Sequence, residues 1–330
     1  MRTALTLFCI MNFWSLTIKA QADGVTLCRQ RAFPKSVPAG NYSGITWLGG
    51  NQYAVVDDKS ATAGFHLMAI DIDSLTGEIM SVSHEGFVTA NLPNRDEEGI
   101  CYFPDSGTVF VSGEADGKIL EYSLQGQPTG RQLNIPEVFQ SAYFNGGFEG
   151  LTYNASTRLF WTTSENTLRA DGVRPDLQHK VPNRLRLQSF GDNLQPATWY
   201  WYETDATVAQ KEKGHNYIGV SGLAALDDGR VIVLERDMFI ARRKIGSFVN
   251  VKLYIVNPVG QQPEALLEKH LLLDFRTKIN LTARSFANYE GVCLGPKLAD
   301  GRHLLILVAD SQNQHRHMLK DWFCSVAISL

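Results

Sequence analysis

The stretch from Asn288 to Asp310, NYEGVCLGPKLADGRHLLILVAD, decides the fold. Glu290 and Gly291 open an apolar run, a turn rich in Gly, Pro and Asp follows, and a second run of leucines and β-branched residues ends on Asp310. This is a strand, a turn and a strand. Four copies precede it: YSGITW with YAVVDD (Tyr42 to Asp58), EEGICY with VFVSGE (Glu97 to Glu114), FEGLTY with LFWTTSE (Phe148 to Glu165), and VSGLAAL with VIVLERD (Val220 to Asp237). They open at Ser43, Glu98, Glu149, Ser221 and Glu290, spaced 55, 51, 72 and 69 residues apart. Periods of that size, with several short strands in each, are those of propeller blades.

Each interval holds two further strand-like runs, such as HLMAIDID (His66 to Asp73) and IMSVSHEGFV in the first, or NRLRLQSF and TWYWYET in the third. The last interval holds only WFCSVAISL (Trp322 to Leu330), one strand short of a blade. VTLCRQRAF (Val25 to Phe33) is unassigned and supplies the missing strand, so the N-terminal strand closes the ring on the C-terminal blade. The expectation is an all-β, single five-bladed propeller, with six blades as the alternative if the third or fourth interval hides a degenerate blade. Cys28 and Cys324 lie on the two strands that must meet, so a disulfide is expected there. Cys101 and Cys293 each follow a ring glutamate by three residues and are expected as buried thiols.

Composition bounds the function. The 330 residues are 44% hydrophobic and 20% charged with a formal charge of −3, which argues against disorder and against nucleic-acid binding. Arg2, an apolar run from Ala4 to Ile18, and the small-x-small sequence Ala20, Gln21, Ala22 read as a cleaved signal peptide over residues 1–22. The mature domain is then 23–330, secreted or periplasmic, with no membrane span after cleavage.

The first strand of each propeller blade lines the central axis, so Ser43, Glu98, Glu149, Ser221 and Glu290 form a ring. Each is followed by glycine, as where backbones crowd. Three carboxylates and two hydroxyls on one axis are oxygen donors suited to a hard cation such as Ca2+; the alternative is a water-filled channel. The second strands return to the same face and end in Asp57 and Asp58, Glu114, Glu165, Glu235 with Asp237, and Asp310, with Arg95, Arg169, Arg174 and Arg236 among them. Acids and arginines around one mouth suit an anionic, metal-bridged substrate. The candidate catalytic set is Glu165, Glu235, Asp237, Asp310 and Arg236. Asn166, Arg169 and Arg174, at the start of the Asn166 to Pro182 insertion, are candidate substrate contacts. There is no HExxH, P-loop, dinucleotide fingerprint or G-x-S-x-G elbow.

GFEGLTY with TTSENTLRADG, VSGLAALDDGRVIVLERD, NYEGVCLGPKLADGRHLLILVAD and GEADGKILEYSLQGQ together resemble the phytase-like family, which carries an esterase-like activity. The chain departs from that family's pattern at Asp310, Ser311, Gln312 and Asn313. The order Ser, Glu, Glu, Ser, Glu around the ring is also similar to that of the calcium-activated nucleotidases (apyrases), five-bladed propellers with axial calcium. These resemblances imply calcium at the ring and hydrolysis of phosphate esters or related anionic esters by a metal-activated water. The alternative is a non-catalytic propeller that binds a ligand or another protein of the cell envelope.

Overall fold

A computed structural model describes residues 16–330 other than 177, 180, 210–213, 280–283, 316 and 317. Residues 1–15 of the expected leader lie outside the described residues. The first three strands are β1 (Thr17–Gln21), β2 (Val25–Leu27) and β3 (Arg31–Ala32). Blade one is β4 (Tyr42–Gly49), β5 (Gln52–Asp57), β6 (Gly64–Ile72) and β7 (Ile79–Thr89). Blade two is β8 (Glu97–Phe103), β9 (Thr108–Gly113), β10 (Lys118–Ser123) and β11 (Pro128–Gln132). Blade three is β12 (Phe148–Asn154), β13 (Leu159–Ser164), β14 (Arg184–Gly191) and β15 (Pro196–Glu203). Blade four is β16 (Gly214–Ala225), β17 (Val231–Ala241), β18 (Phe248–Val256) and β19 (Lys269–Lys278). Blade five is β20 (Asn288–Leu294), β21 (His303–Asp310) and β22 (Trp322–Ile328).

Each blade is an antiparallel sheet in chain order, and β2 pairs with β22 to complete blade five. The ring is closed as expected, with five blades. One pairing was not foreseen: β1, inside the expected leader, adds an exposed fifth strand to the outer edge of blade four.

The core lies between blades, because the two-residue side-chain period gives each strand two buried faces. In β5, Tyr53 and Val55 pack toward blade five, while Ala54 and Val56 pack toward blade two. In β21, Leu305 and Leu307 face blade four, and Ile306 and Val308 face blade one. Phe103 and Phe110 of blade two meet Phe148, Phe160 and Phe190 of blade three. Tyr42, Tyr53, Phe110, Phe160 and Phe323 are among the largest fully buried side chains. Burial of an aromatic of this size contributes about 1.5–3 kcal/mol.

Candidate functional site

All five ring residues face one narrow space, together with the glycine and the apolar residue that follow each of them. The glycines are required by close approach between blades. A Cβ on Gly99 would sit 2.5 Å from the Glu149 carbonyl oxygen, and one on Gly222 would sit 2.9 Å from that of Glu290. Next along each strand, Ile45, Ile100, Leu151, Leu223 and Val292 close the axis. The space left is about 10 Å3, around the least that one water needs.

Every blade carries a β-bulge at its ring residue. Register shifts fall between Tyr42 and Gly44, Glu97 and Ile100, Phe148 and Leu151, Val220 and Gly222, and Tyr289 and Gly291. A bulge inserts an extra residue and re-aims its side chain. Ser43 thereby donates from Oγ to the Glu97 carbonyl at 2.7 Å, and Ser221 to that of Tyr289 at 3.1 Å, each reaching the next blade.

Just outside lies a second ring, set by the residue at which each second strand reaches the mouth. Backbone pairing with Asn41, Asp96, Gly147, Gly219 and Asn288 makes Asp58, Glu114, Glu165, Arg236 and Asp310 equivalent. Four are carboxylates and one is arginine. Glu235 and Asp237, two of the expected catalytic residues, do not join them. The pleat of β17 explains why: Val231 and Val233 pack toward blade three while Ile232 and Leu234 pack toward blade five. On the same alternation Glu235 turns to Tyr202 Oη and Lys269 Nζ, both at 2.6 Å. Asp237 accepts from Thr207 Oγ1 at 2.9 Å, the Val208 N–H at 2.8 Å and Asn216 Nδ2 at 2.7 Å. Both are buried and held in structural networks.

Arg236 turns the other way, into the acids. It donates to Glu165 Oε1 at 2.6 Å, to Asn288 Oδ1 at 3.0 Å and to Glu290 Oε1. Burial opposes its charge, but Glu290, Glu165 and Glu149 outweigh burial and hold the guanidinium protonated. Its Nε has no hydrogen-bond partner among the described residues. On Glu165, Oε2 accepts from Asn166 Nδ2 at 2.7 Å and lies 3.7 Å from Arg174. Two of the three expected substrate contacts thus brace Glu165. The third, Arg169, lies over the Tyr143 ring at 4.7 Å on the wall of an adjoining cleft.

Burial raises the acids of both rings, including Glu290, which Arg236 pairs with. Glu98 is held well above the usual carboxylate range by desolvation and then by Glu149 and Glu290. Glu149 is raised by desolvation and by Glu165, against the pull of Arg236. Glu290 reaches about 7 through desolvation, which Arg236 limits. Desolvation and Glu290 likewise raise Asp310. Glu114 is raised by desolvation, opposed by the Gly147 N–H that it accepts at 2.7 Å.

The five expected calcium ligands share one axis. Their two hydroxyls are engaged by backbone carbonyls, and Glu290 is engaged by Arg236 and by Asn288 Nδ2 at 2.8 Å. Among the described residues, Asp58, Asp96 and Glu98 bring one oxygen each to within 4.8 Å of one another. Asp58 Oδ1 is buried with no hydrogen-bond partner among the described residues. An all-carboxylate set with an unsatisfied buried oxygen fits a hard cation. Lys59 reaches Asp58 Oδ2 at 2.9 Å and also Asp96, but it is an exposed side chain. Asp96 was absent from the sequence reading, although its place two residues before a ring glutamate marks it.

The disulfide is also corrected. Cys28, Cys101, Cys293 and Cys324 are buried thiols. The β2–β22 register pairs Leu27 with Val326, and the Cys28 N–H donates to the Ser325 carbonyl at 2.9 Å. Cys28 therefore lies opposite Ser325, and the pleat sends the sulfurs of Cys28 and Cys324 to opposite faces. Cys28 Sγ points to the Thr76 carbonyl, whereas Cys324 packs in the core between blades four and five.

The family model described as "Phytase-like: Esterase-like activity of phytase" matches residues 37–312. The chain belongs to the phytase-like family. Both rings of this phytase-like propeller and the cleft beside them fall inside the matched span. No curated protein matches the chain. Among solved structures it is similar to the endo-arabinase from Bacteroides thetaiotaomicron VPI-5482, with 10% identity, TM-score 0.48, and 89% of this chain and 95% of that one covered. It is also similar to the periplasmic gluconolactonase PpgL from Pseudomonas aeruginosa, with 13% identity, TM-score 0.34, and coverage of 85% and 68%.

Proposed function

We propose that the protein is an exported, calcium-dependent hydrolase of phosphate esters or related anionic esters. The observation that carries this reading is the second ring: four carboxylates and one buried arginine beside an acidic inner ring. Asp58, Asp96 and Glu98 would hold the ion. Bound calcium would polarise a substrate oxygen and acidify a coordinated water. Arg236, fixed by Glu165 and Glu290, would set its positive charge beside the charge that develops on the substrate. Its charge needs no reorganisation, because the same carboxylates that hold it also orient it. Asn166 and Arg174 fix Glu165 in turn. Glu114, raised by burial and lining the cleft, carries the proton that the departing alcohol takes. Export rests on the composition of residues 1–22, whose removal would leave β19 as the outer strand of blade four.

The test is a panel of phosphomonoesters, nucleotides, inositol hexakisphosphate and carboxylic esters, assayed in calcium and in chelator. Chelator-sensitive turnover of one class, abolished in Arg236→Lys, is the expected result. Absence of turnover across the panel returns the protein to the second class, a non-catalytic binding propeller.

A further inference from the structure

Between blades two and three a cleft of about 840 Å3 opens beside the acidic mouth, and Asp96 and Glu114 belong to both. Its far wall is built differently from the mouth. Phe139 and Phe148 form a buried floor, with Ile135 packed against them. Tyr143 is half-buried, and Phe144 is 84% exposed at the lip. The segment that carries them is held in place rather than left loose. Tyr143 Oη donates to the Gly172 carbonyl at 3.1 Å, Arg174 Nη1 donates to the Phe144 carbonyl at 3.2 Å, and Asn145 sits in the left-handed region at φ 49°. Arg174 also faces Glu165, so one side chain ties this lip to the second ring.

We propose that this cleft receives the alcohol portion of the ester, and that the preferred alcohol is aromatic or apolar rather than a polyanion. The inference rests on the hydrolase reading for the reacting group, but its argument about the cleft is separate. The exposed ring of Phe144 lines the same cleft as the Phe139 and Phe148 floor, so a ring of the ligand would cover apolar surface there, and covering it favours binding by about tenfold or more. Arg169, lying over Tyr143, offers one positive charge at this wall. A polyanion meets the opposite field. Asp58, Asp96, Glu98, Glu114, Glu165 and Asp310 crowd the mouth, and Arg236 is already shared by Glu165 and Glu290. One anionic group can be accommodated there, whereas several on one small molecule are repelled by the remaining carboxylates.

The test uses the full chain and non-hydrolysable probes, so that cleft and chemistry are read separately. Binding of 1-naphthylmethylphosphonate and of methylphosphonate is measured by calorimetry, in calcium and in chelator, for the wild type, Phe144→Ala and Phe144→Asp. The naphthyl probe should bind roughly tenfold or more tightly than the methyl probe, and both substitutions should remove most of that margin while leaving methylphosphonate unchanged. Phe144 is exposed, so melting curves of the variants should match the wild type. Equal binding of the two probes, no binding of either, or a margin untouched by the substitutions would overturn the assignment. Turnover of 1-naphthyl phosphate, glycerol 2-phosphate and inositol hexakisphosphate is then compared. A naphthyl margin in binding with no turnover of any ester would keep the cleft as a ligand site and remove the hydrolase reading.

Discussion

Glu98 and Glu290 are copies of the same position, each in a β-bulge followed by glycine, and they have opposite surroundings. Glu290 shares Arg236 with Glu165 and accepts a second hydrogen bond from Asn288. Glu98 stands with Asp58 and Asp96, where the nearby cation is the exposed Lys59. An exposed ion pair is worth little, about 0–1 kcal/mol, whereas a buried arginine is committed to its partners. One half of the mouth is thus neutralised from within the chain, and the other is built to take its positive charge from outside. The repeat supplies the frame, and the exchange of one acid for arginine in blade four sets the polarity of the site.

The sharpest way to break this comparison is to remove Arg236. Arg236→Met should cost roughly 3–5 kcal/mol in urea denaturation, because Glu165 and Glu290 lose the buried cation that they share. A loss below about 1 kcal/mol would show that the arginine half is not neutralised as described.

The second effect is on pH dependence. The folded chain holds Glu290 at about 7 and raises Glu98, Glu149 and Asp310, so it keeps protons that the unfolded chain has released. The stability associated with Glu290 is full below its unfolded value of 4.5 and is lost as pH rises through about 7, and the raised Glu98, Glu149 and Asp310 act in the same direction. In chelator, melting should fall between pH 5 and pH 8, with a slope of up to about 1.4 kcal/mol per pH unit for each proton difference. Calcium should flatten that slope. A flat or rising curve in chelator would contradict the crowding of buried acids.

The smallest expected effect concerns the two serines. Ser43→Ala and Ser221→Ala each remove one bond to a neighbouring blade and should cost about 1 kcal/mol, equally with and without calcium. A calcium-dependent difference in either would move the ion back toward the axis. Reducing agent should leave the melting temperature unchanged, since Cys28 and Cys324 are thiols on opposite faces of one sheet.

Blade count, ring closure and the inner ring could be read from the chain because each depends on a repeated pattern. The outer ring was half legible. Asp58, Glu114, Glu165 and Asp310 end their strands, but choosing among Glu235, Arg236 and Asp237 requires carrying the two-residue alternation from Val231 to the strand end. The same parity, applied across β2 and β22, excludes the disulfide. The bulges were hidden, since no residue type marks them and they appear only in the pairing register. The cleft was hidden for another reason: Phe144 and Arg169 come from separate loops, and only the packed fold brings them together.

The central claim is that the Glu98 half of the mouth takes a cation. Its most direct measurement is the melting of the wild type, Asp96→Asn, Glu98→Gln and Ser221→Ala in a calcium titration against excess chelator. Calcium at about a hundred times its dissociation constant should stabilise the wild type by about 2.7 kcal/mol. Ser221→Ala should keep that gain, and Asp96→Asn and Glu98→Gln should lose most of it. A wild-type curve that does not move, or a gain that survives in Asp96→Asn and vanishes in Ser221→Ala, would contradict the account.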